Sequence, residues 1–437
     1  MKAVVLLTCI ALWTFEVPGG EIHDAASTGD TNKFKALLVA EPSAVNQQDA
    51  DGNTPLHLAI RANNQGIVEI ALQFKPTLQL ANKAGLTPLK LAKGYGRTEL
   101  VKLLTDNGVT GEANDHEGRL VAKQRLVPAE VLAFYYPWYG SPEKRGHPVH
   151  WGKIDSEQHT ISNCAHYPLK GVYDSMDPAL IDEQISLAQS NGITGFIASW
   201  WGQDRYEDHA LPVLLDRAAE KHFKCSVYWE KASGEGDARI NQAASDLVYL
   251  LTRYGTNEAF LKVGSKPVIF LYGRVLDQIR PSAWPAIASR ARAKAGEVLL
   301  IADGYKEEKA RHFDGVHNYN ISWAAAGKPP LGDLRSWAAR YDSDAVQLAR
   351  KHGIISCVTV IPGYDDRNTR RPGRNSDRQD GQVYRVLWEE AIKSKPDWVL
   401  ITSWNEWHEG SEIEASTEYG DKYLKLTGDY AWRFLAR

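Results

Sequence analysis

PALIDEQISLAQSNGITGFIASW, residues 178–200, passes from one hydrophobic period to another. Over 178–192, Leu180, Ile181, Ile185 and Leu187 fall broadly on one side of a helix. From Ile193 to Trp200 the run is short, apolar and aromatic, as a buried strand requires. The same alternation extends in both directions. Strand-like runs occupy 131–138 (VLAFYYPW), 193–200, 224–230 (KCSVYWE) and 266–273 (KPVIFLYG), then 298–304 (VLLIADG), 313–320 (FDGVHNYN), 355–363 (ISCVTVIPG) and 398–404 (WVLITSW). Helical patterns between them cover 211–222, 238–255 and 380–394 among others. Eight strands alternating with helices predict an α/β fold, a (β/α)₈ TIM barrel over residues 130–437. The runner-up, a doubly wound open sheet, wants a glycine-rich phosphate turn after its first strand, and YPWYGSPE (136–143) is not one.

Barrel chemistry gathers at the C-terminal ends of the strands. Tyr136, Trp138 and Tyr139 stand there after the first strand, Trp200 and Trp201 after the second, and Trp229 and Glu230 after the third. Asp303 ends the fifth, Tyr319 and Asn320 close the sixth, and WNEWHEGSEIEAS (404–416) follows the eighth. The chain of 437 residues is rich in such side chains, with 14 Trp and 19 Tyr. Aromatic faces stack on the C–H faces of sugars while carboxylates and amides take the hydroxyls, so this rim reads as a carbohydrate cleft. A formal net charge of −3 argues against a nucleic-acid partner. No cofactor is expected, and no HExxH or calcium-loop spacing points to a metal.

The N-terminus reads separately. Lys2, the apolar run Ala3–Trp13 and the small residues Gly19 and Gly20 form a signal-peptide pattern over 1–20, too short to span a bilayer, and export is expected. Cys164, Cys225 and Cys357 then allow at most one disulfide, and the latter two, inside strand-like runs, read as small buried hydrophobes. DGNTPLHLA (51–59) recurs as AGLTPLKLA (84–92), a shift of 33 residues, and the same shift backwards lands on DAASTGD (24–30). These segments resemble ankyrin repeats, about three over residues 21–111, with Leu58, Ala59, Ile67 and Ile70 as an apolar face for a stacked neighbour. The resemblance implies a protein partner or, equally, docking on the following domain. Polar residues 112–129 read as the linker.

Hydrolysis of a glycosidic bond needs two cooperating groups, and Glu406 and Glu409 are spaced to face one side of a tight turn. Flanking Trp404, Asn405 and Trp407 place them at the barrel rim. FYYPWYGSPE (134–143), HW (150–151), YDSMDP (173–178), GITGFIASWWG (192–202), HFDGVHNY (312–319), PGYDDRNTRRPGRNSDRQDG (362–381) and WNEWHEGSEIEAS together resemble glycoside hydrolase family 99, the endo-α-mannosidases and endo-α-mannanases. That resemblance implies an α-mannoside-containing oligo- or polysaccharide substrate and retention without a protein nucleophile. Glu406 would take the proton of the substrate's own 2-hydroxyl, and Glu409 would act as acid and then base. It further implies that Glu230 holds a sugar hydroxyl, that Tyr319 lies near the reacting carbon and that Trp200 and Trp201 wall the glycone side. His150, Trp151 and His408 are expected to be structural, and the arginines of 362–381 to form a solvated, salt-bridged rim. A non-catalytic carbohydrate-binding barrel and an ankyrin-led scaffold are the alternatives.

Overall fold

A computed structural model describes residues 20–49, 51–83, 86–94, 97–107 and 127–436. The expected signal peptide up to residue 19, and the expected linker up to residue 126, lie outside them. The chain divides into two compact units, a smaller N-terminal one and a larger one.

The smaller unit is three helix pairs: Glu21–Thr28 with Thr31–Ala40, Pro55–Arg61 with Gln65–Gln73, and Pro88–Gly94 with Thr98–Asp106. The TPLH motif works as an interlock. Nδ1 of His57 accepts from the Thr54 amide (3.1 Å) and lies 2.8 Å from the Thr54 hydroxyl, closing a capping box. Its Nε2 then carries the proton and donates to the Leu86 carbonyl at 2.9 Å, joining the second repeat to the third. Burial lowers the His57 pKa, which keeps the ring neutral for this double duty. The apolar face differs in detail from the expected one. Leu56, Ala59, Ile60, Ile67, Val68 and Ala71 are buried, whereas Leu58 and Ile70 are half-buried.

The larger unit is a closed barrel of eight parallel strands: β1 (Glu130–Tyr135), β2 (Gly195–Trp200), β3 (Lys224–Trp229), β4 (Lys266–Leu271), β5 (Leu299–Asp303), β6 (Gly315–His317), β7 (Ile355–Val360) and β8 (Trp398–Ile401). Closure comes from two pairings. β1 pairs with β8 from Glu130↔Trp398 to Ala133↔Ile401, and β3 pairs with β4 from Val227↔Ile269 to Trp229↔Leu271. The open-sheet alternative is thereby excluded.

Every residue of β1 and β2 is buried, because one face of each strand fills the barrel and the other meets the helices. Leu132, Phe134, Ile197, Tyr228, Phe270 and Leu400 belong to the interior cluster. Val131, Ala133, Phe196, Trp200, Trp229 and Ile401 belong to the cluster under the helices. Of the helices, Pro178–Ser190 buries Leu180, Ile181, Gln184, Ile185 and Ala188, with Leu187 left half-buried, contrary to the expected stripe.

The helix expected from 211 begins at Tyr206 and runs to Glu220, with Pro212 inside it. Proline there removes an amide that would bond the Asp208 carbonyl. The Tyr254 hydroxyl supplies the missing donor at 3.1 Å, so the helix continues. Cys164, Cys225 and Cys357 are buried and free.

Candidate active site

The cleft opens at the C-terminal ends of the strands, with a volume of about 310 Å³. Its floor is built by the turn after β8. The Ser403 hydroxyl accepts from the Glu406 amide at 2.8 Å, and Ser403 N donates to the Ser411 carbonyl at 2.8 Å, folding 403–411 back on itself. Asn405 fastens this turn to the end of β1: its Oδ1 accepts from Tyr136 N (2.7 Å) and its Nδ2 donates to Tyr136 O (3.2 Å). The Tyr139 hydroxyl accepts from Trp407 N and donates to the Asn405 carbonyl, both at 3.2 Å. Trp407 Nε1 donates to the Tyr173 hydroxyl at 2.9 Å.

On this support Glu406 and Glu409 enter the same cleft, together with Tyr136, Trp138, Trp201, Glu230 and Tyr319. Glu409 Oε2 accepts from the Tyr319 hydroxyl at 3.1 Å, and Tyr319 accepts from Tyr136 at 2.6 Å. Glu409 Oε1 meets Arg370 Nη2 at 2.9 Å. Glu230, at the end of β3, accepts from Ser199 Oγ at 2.9 Å, and the same hydroxyl receives Trp201 Nε1 at 3.1 Å.

Electrostatics separates these groups. Burial, followed by the nearby Glu409 charge, pushes the Glu406 carboxyl well up. Burial pushes Glu230 up to about 8, against the opposing Ser199 hydrogen bond and Arg274 charge. His408 is driven down to about 4 by burial, so it is a neutral ring near pH 7. Its Nε2 lies 2.8 Å from the His150 carbonyl and therefore carries the proton. The bare Nδ1 lies 3.5 Å from Glu406 Oε1, and because the ring is neutral this contact is not an ion pair. A buried acid with a raised pKa beside a second carboxyl is the arrangement that lets one of the two carry a proton near neutrality.

Five residues of the expected set lie outside the cleft. Trp200 is fully buried under the helices, its Nε1 donating to Asp208 at 2.7 Å, because the period-two alternation of β2 sends it outward while Ser199 points inward. Trp404 packs on Phe196 in the same outer layer. Asn405 and Trp407, within the 403–411 turn, and Tyr139, packed on it, are buried away from the cleft, as the bonds above describe.

Conversely, the cleft takes in His150, Tyr228, Tyr272, Arg274, Thr369, Arg370 and His408, none of which is among the expected sugar contacts. His150 stacks on Trp138, centroids 4.7 Å apart and 5° from parallel, so with His408 it forms wall rather than background. Arg370 keeps the expected rim character, exposed and salt-bridged to Asp366 through Nη1 at 2.6 Å, and also lines the cleft, whereas Arg378 of the same loop departs from it and is buried on Glu412. Tyr272 and Arg274 directly follow β4, where the strand-end rule applied to that strand finds them.

Two tests follow from this placement. Trp200→Ala is expected to cost about 3–5 kcal/mol of stability as a cavity mutation, with KM changed less than by Trp201→Ala, which removes a cleft wall; denaturant melts and initial rates on both variants check it. Stability should also depend on pH through Glu230. Its folded pKa is raised to about 8, so between the ordinary carboxylate range and pH 8 the folded chain holds a proton that the unfolded chain has lost. Stability therefore falls as pH rises through that window. Glu230→Gln should flatten this fall, read as Tm against pH; an unchanged slope would remove Glu230 as its source.

A profile of glycosyl hydrolase family 99 matches residues 127–426, and one of ankyrin repeats in three copies matches 22–115. The glycoprotein endo-alpha-1,2-mannosidase of Mus musculus is 27% identical over 356 residues, covering 69% of this chain and 74% of that one. The glycoprotein endo-alpha-1,2-mannosidase-like protein of Homo sapiens is 26% identical, covering 66% and 69%. Among solved structures, the family 99 endo-alpha-mannosidase from Bacteroides thetaiotaomicron superposes with a TM-score of 0.58 at 27% identity, covering 70% of this chain and 97% of that one.

Proposed function

The chain belongs to glycosyl hydrolase family 99, and from that premise we propose that it cleaves internal α-mannosidic linkages of a mannan or N-glycan-type polysaccharide with retention of configuration. It is a glycoside hydrolase of the endo-α-mannosidase kind. The observation that carries the finer reading is the entry of Glu406 and Glu409 into one cleft walled by Trp138 and Trp201.

In this mechanism ionised Glu406 takes the proton of the 2-hydroxyl of the reacting mannose. The resulting oxyanion attacks C1 as the glycosidic oxygen leaves with the proton of Glu409. A 1,2-epoxide forms and the C1–O bond to the leaving sugar breaks. Glu409, now a carboxylate, takes a proton from water, which opens the epoxide at C1, and Glu406 returns the proton to O2. Burial suits Glu406 to this step, because a carboxylate whose pKa lies well up is a stronger base toward a hydroxyl than an exposed one. The Tyr136–Tyr319 hydroxyl pair, ending on Glu409 Oε2, aims the acid at the leaving oxygen.

The same reading has the protein exported under the direction of residues 1–20, with the repeats binding a protein partner. Assay of the full chain on α-mannan and on glucosylated high-mannose glycans tests it, with NMR of the first-formed product reporting the anomer. Internal cleavage giving the α-anomer is expected; binding without turnover on every α-mannoside would leave a carbohydrate-binding barrel instead.

A further inference from the structure

The charged groups of the cleft are unevenly matched. At one side Arg370 is shared between Glu409 (2.9 Å) and the buried Asp366 (2.6 Å), so carboxylate is in excess there. On the strand β4 side stands Arg274, exposed, its guanidinium 5.0 Å from the Trp201 ring centre and 5.6 Å from that of Tyr272. It makes no ion pair and donates no hydrogen bond among the described residues, yet it lines the cleft. Glu230 feels the Arg274 charge, but burial pushes its carboxyl up to about 8, so near neutral pH it does not neutralise the guanidinium. His150 and His408 are both shifted toward their neutral forms by burial. A permanent positive charge is therefore presented to whatever fills this part of the cleft, braced on two aromatic faces that leave its N–H edge free.

Sugar hydroxyls can be met by groups without a permanent charge, and Glu230 and the tyrosine hydroxyls lining the cleft offer them. A planar edge of paired N–H donors matches the two oxygens of a carboxylate or phosphate. We propose that Arg274 is a specificity-determining residue, selecting glycans that carry an oxyanion substituent, phosphate or carboxylate, on the sugar held against Trp201. This rests on the α-mannosidase reading above and narrows its substrate class.

The test compares three probes on the full chain: methyl α-mannobioside, its 6′-phosphate and its 6′-carboxylate, each titrated calorimetrically at low and high salt. At least one anionic probe should bind about tenfold or more tighter than the neutral one at low salt, as one charge-assisted pair allows. The advantage should shrink with salt, and the ratio should fall toward one in Arg274→Gln and survive in part in Arg274→Lys. Preference for only the phosphate or only the carboxylate identifies the source of the oxyanion. Equal binding of all three probes by the wild type, or a preference that persists in Arg274→Gln, overturns the proposal, as does failure of every probe to bind. Hydrolysis of a neutral aryl α-mannobioside, measured alongside, reports on the glycosidase reading independently: turnover there without an anion preference sinks only the role of Arg274.

Discussion

Glu409→Gln is expected to lower kcat on an unactivated glycan by roughly 10²–10⁴-fold, the contribution of a positioned general acid. The amide keeps the volume and can still accept from the Tyr319 hydroxyl, 3.1 Å away in the wild type. What it loses is the proton for the departing oxygen, while its amide oxygen, turned the other way, can still accept from Arg370 Nη2, 2.9 Å from Oε1 in the wild type. Arg370 retains Asp366, so the loop should stay in place and the melting curve should move little. A leaving group that departs without protonation, such as an activated aryl oxide, should recover much of the loss in the epoxide-forming step. That leaving-group dependence separates an acid from a residue that only shapes the cleft. An equal loss on both substrates would remove Glu409 from the acid role, and an unchanged kcat would remove it from the chemistry.

A stability effect as large as that of Trp200→Ala should come from Arg378, which lies outside the Glu406–Glu409 pair. Its side chain is 5% exposed and is clasped between the rings of Tyr419 and Tyr423, at 4.5 and 4.4 Å. Nη2 donates to the Gly410 carbonyl at 3.0 Å and to Glu412 Oε1 at 2.6 Å. Burial alone would push the fully buried Glu412 up, but the Arg378 and His166 charges hold it below its ordinary range. Arg378→Ala therefore leaves a buried carboxylate without its main counter-charge and should cost about 3–5 kcal/mol. Arg378→Met with Glu412→Leu should regain part of that, since removing both charges spares the desolvation of either. Urea midpoints of the single and double variants measure it, and a double variant no better than the single one would place the loss in packing on the two tyrosines instead. The folded pKa of Glu412 is depressed, so this stabilisation is present above the ordinary carboxylate range and is lost as pH falls through the folded value. Because Gly410 follows Glu409 directly, loss of activity in Arg378→Ala is expected to accompany loss of structure.

Much of this architecture was legible in residue order. Seven of the eight strand runs contain the observed strand and the first misses it by one residue, Glu130, since a short apolar run between amphipathic helices has few other solutions. The pair Glu406 and Glu409 is equally local: two residues three positions apart on one tight turn point the same way wherever that turn is put. The doubled tryptophan of β2 was less readable. Residues 200 and 201 are chemically identical, and the alternation of a strand must send one to the helices and the other to the cleft. Which goes where depends on the register that pairs Trp200 with Trp229 around the closed barrel. Arg370 was hidden for a different reason: in a loop of near-equal acids and bases, order along the chain does not say which arginine, paired with the buried Asp366, will line the cleft.

By itself, then, the order of residues determined the repeat unit, the barrel and the carboxylate pair, because each is written in periods and spacings along the chain, from three residues for the pair to 33 for the repeat. Closure of the barrel decided the rest. Which aromatics face sugar and which face helices, where Arg274 and Arg370 stand, and how far burial moves Glu406, Glu230 and His408 all depend on neighbours tens to hundreds of residues away. Solvent exclusion and charge are properties of the assembled neighbourhood, and only the tertiary structure assembles it.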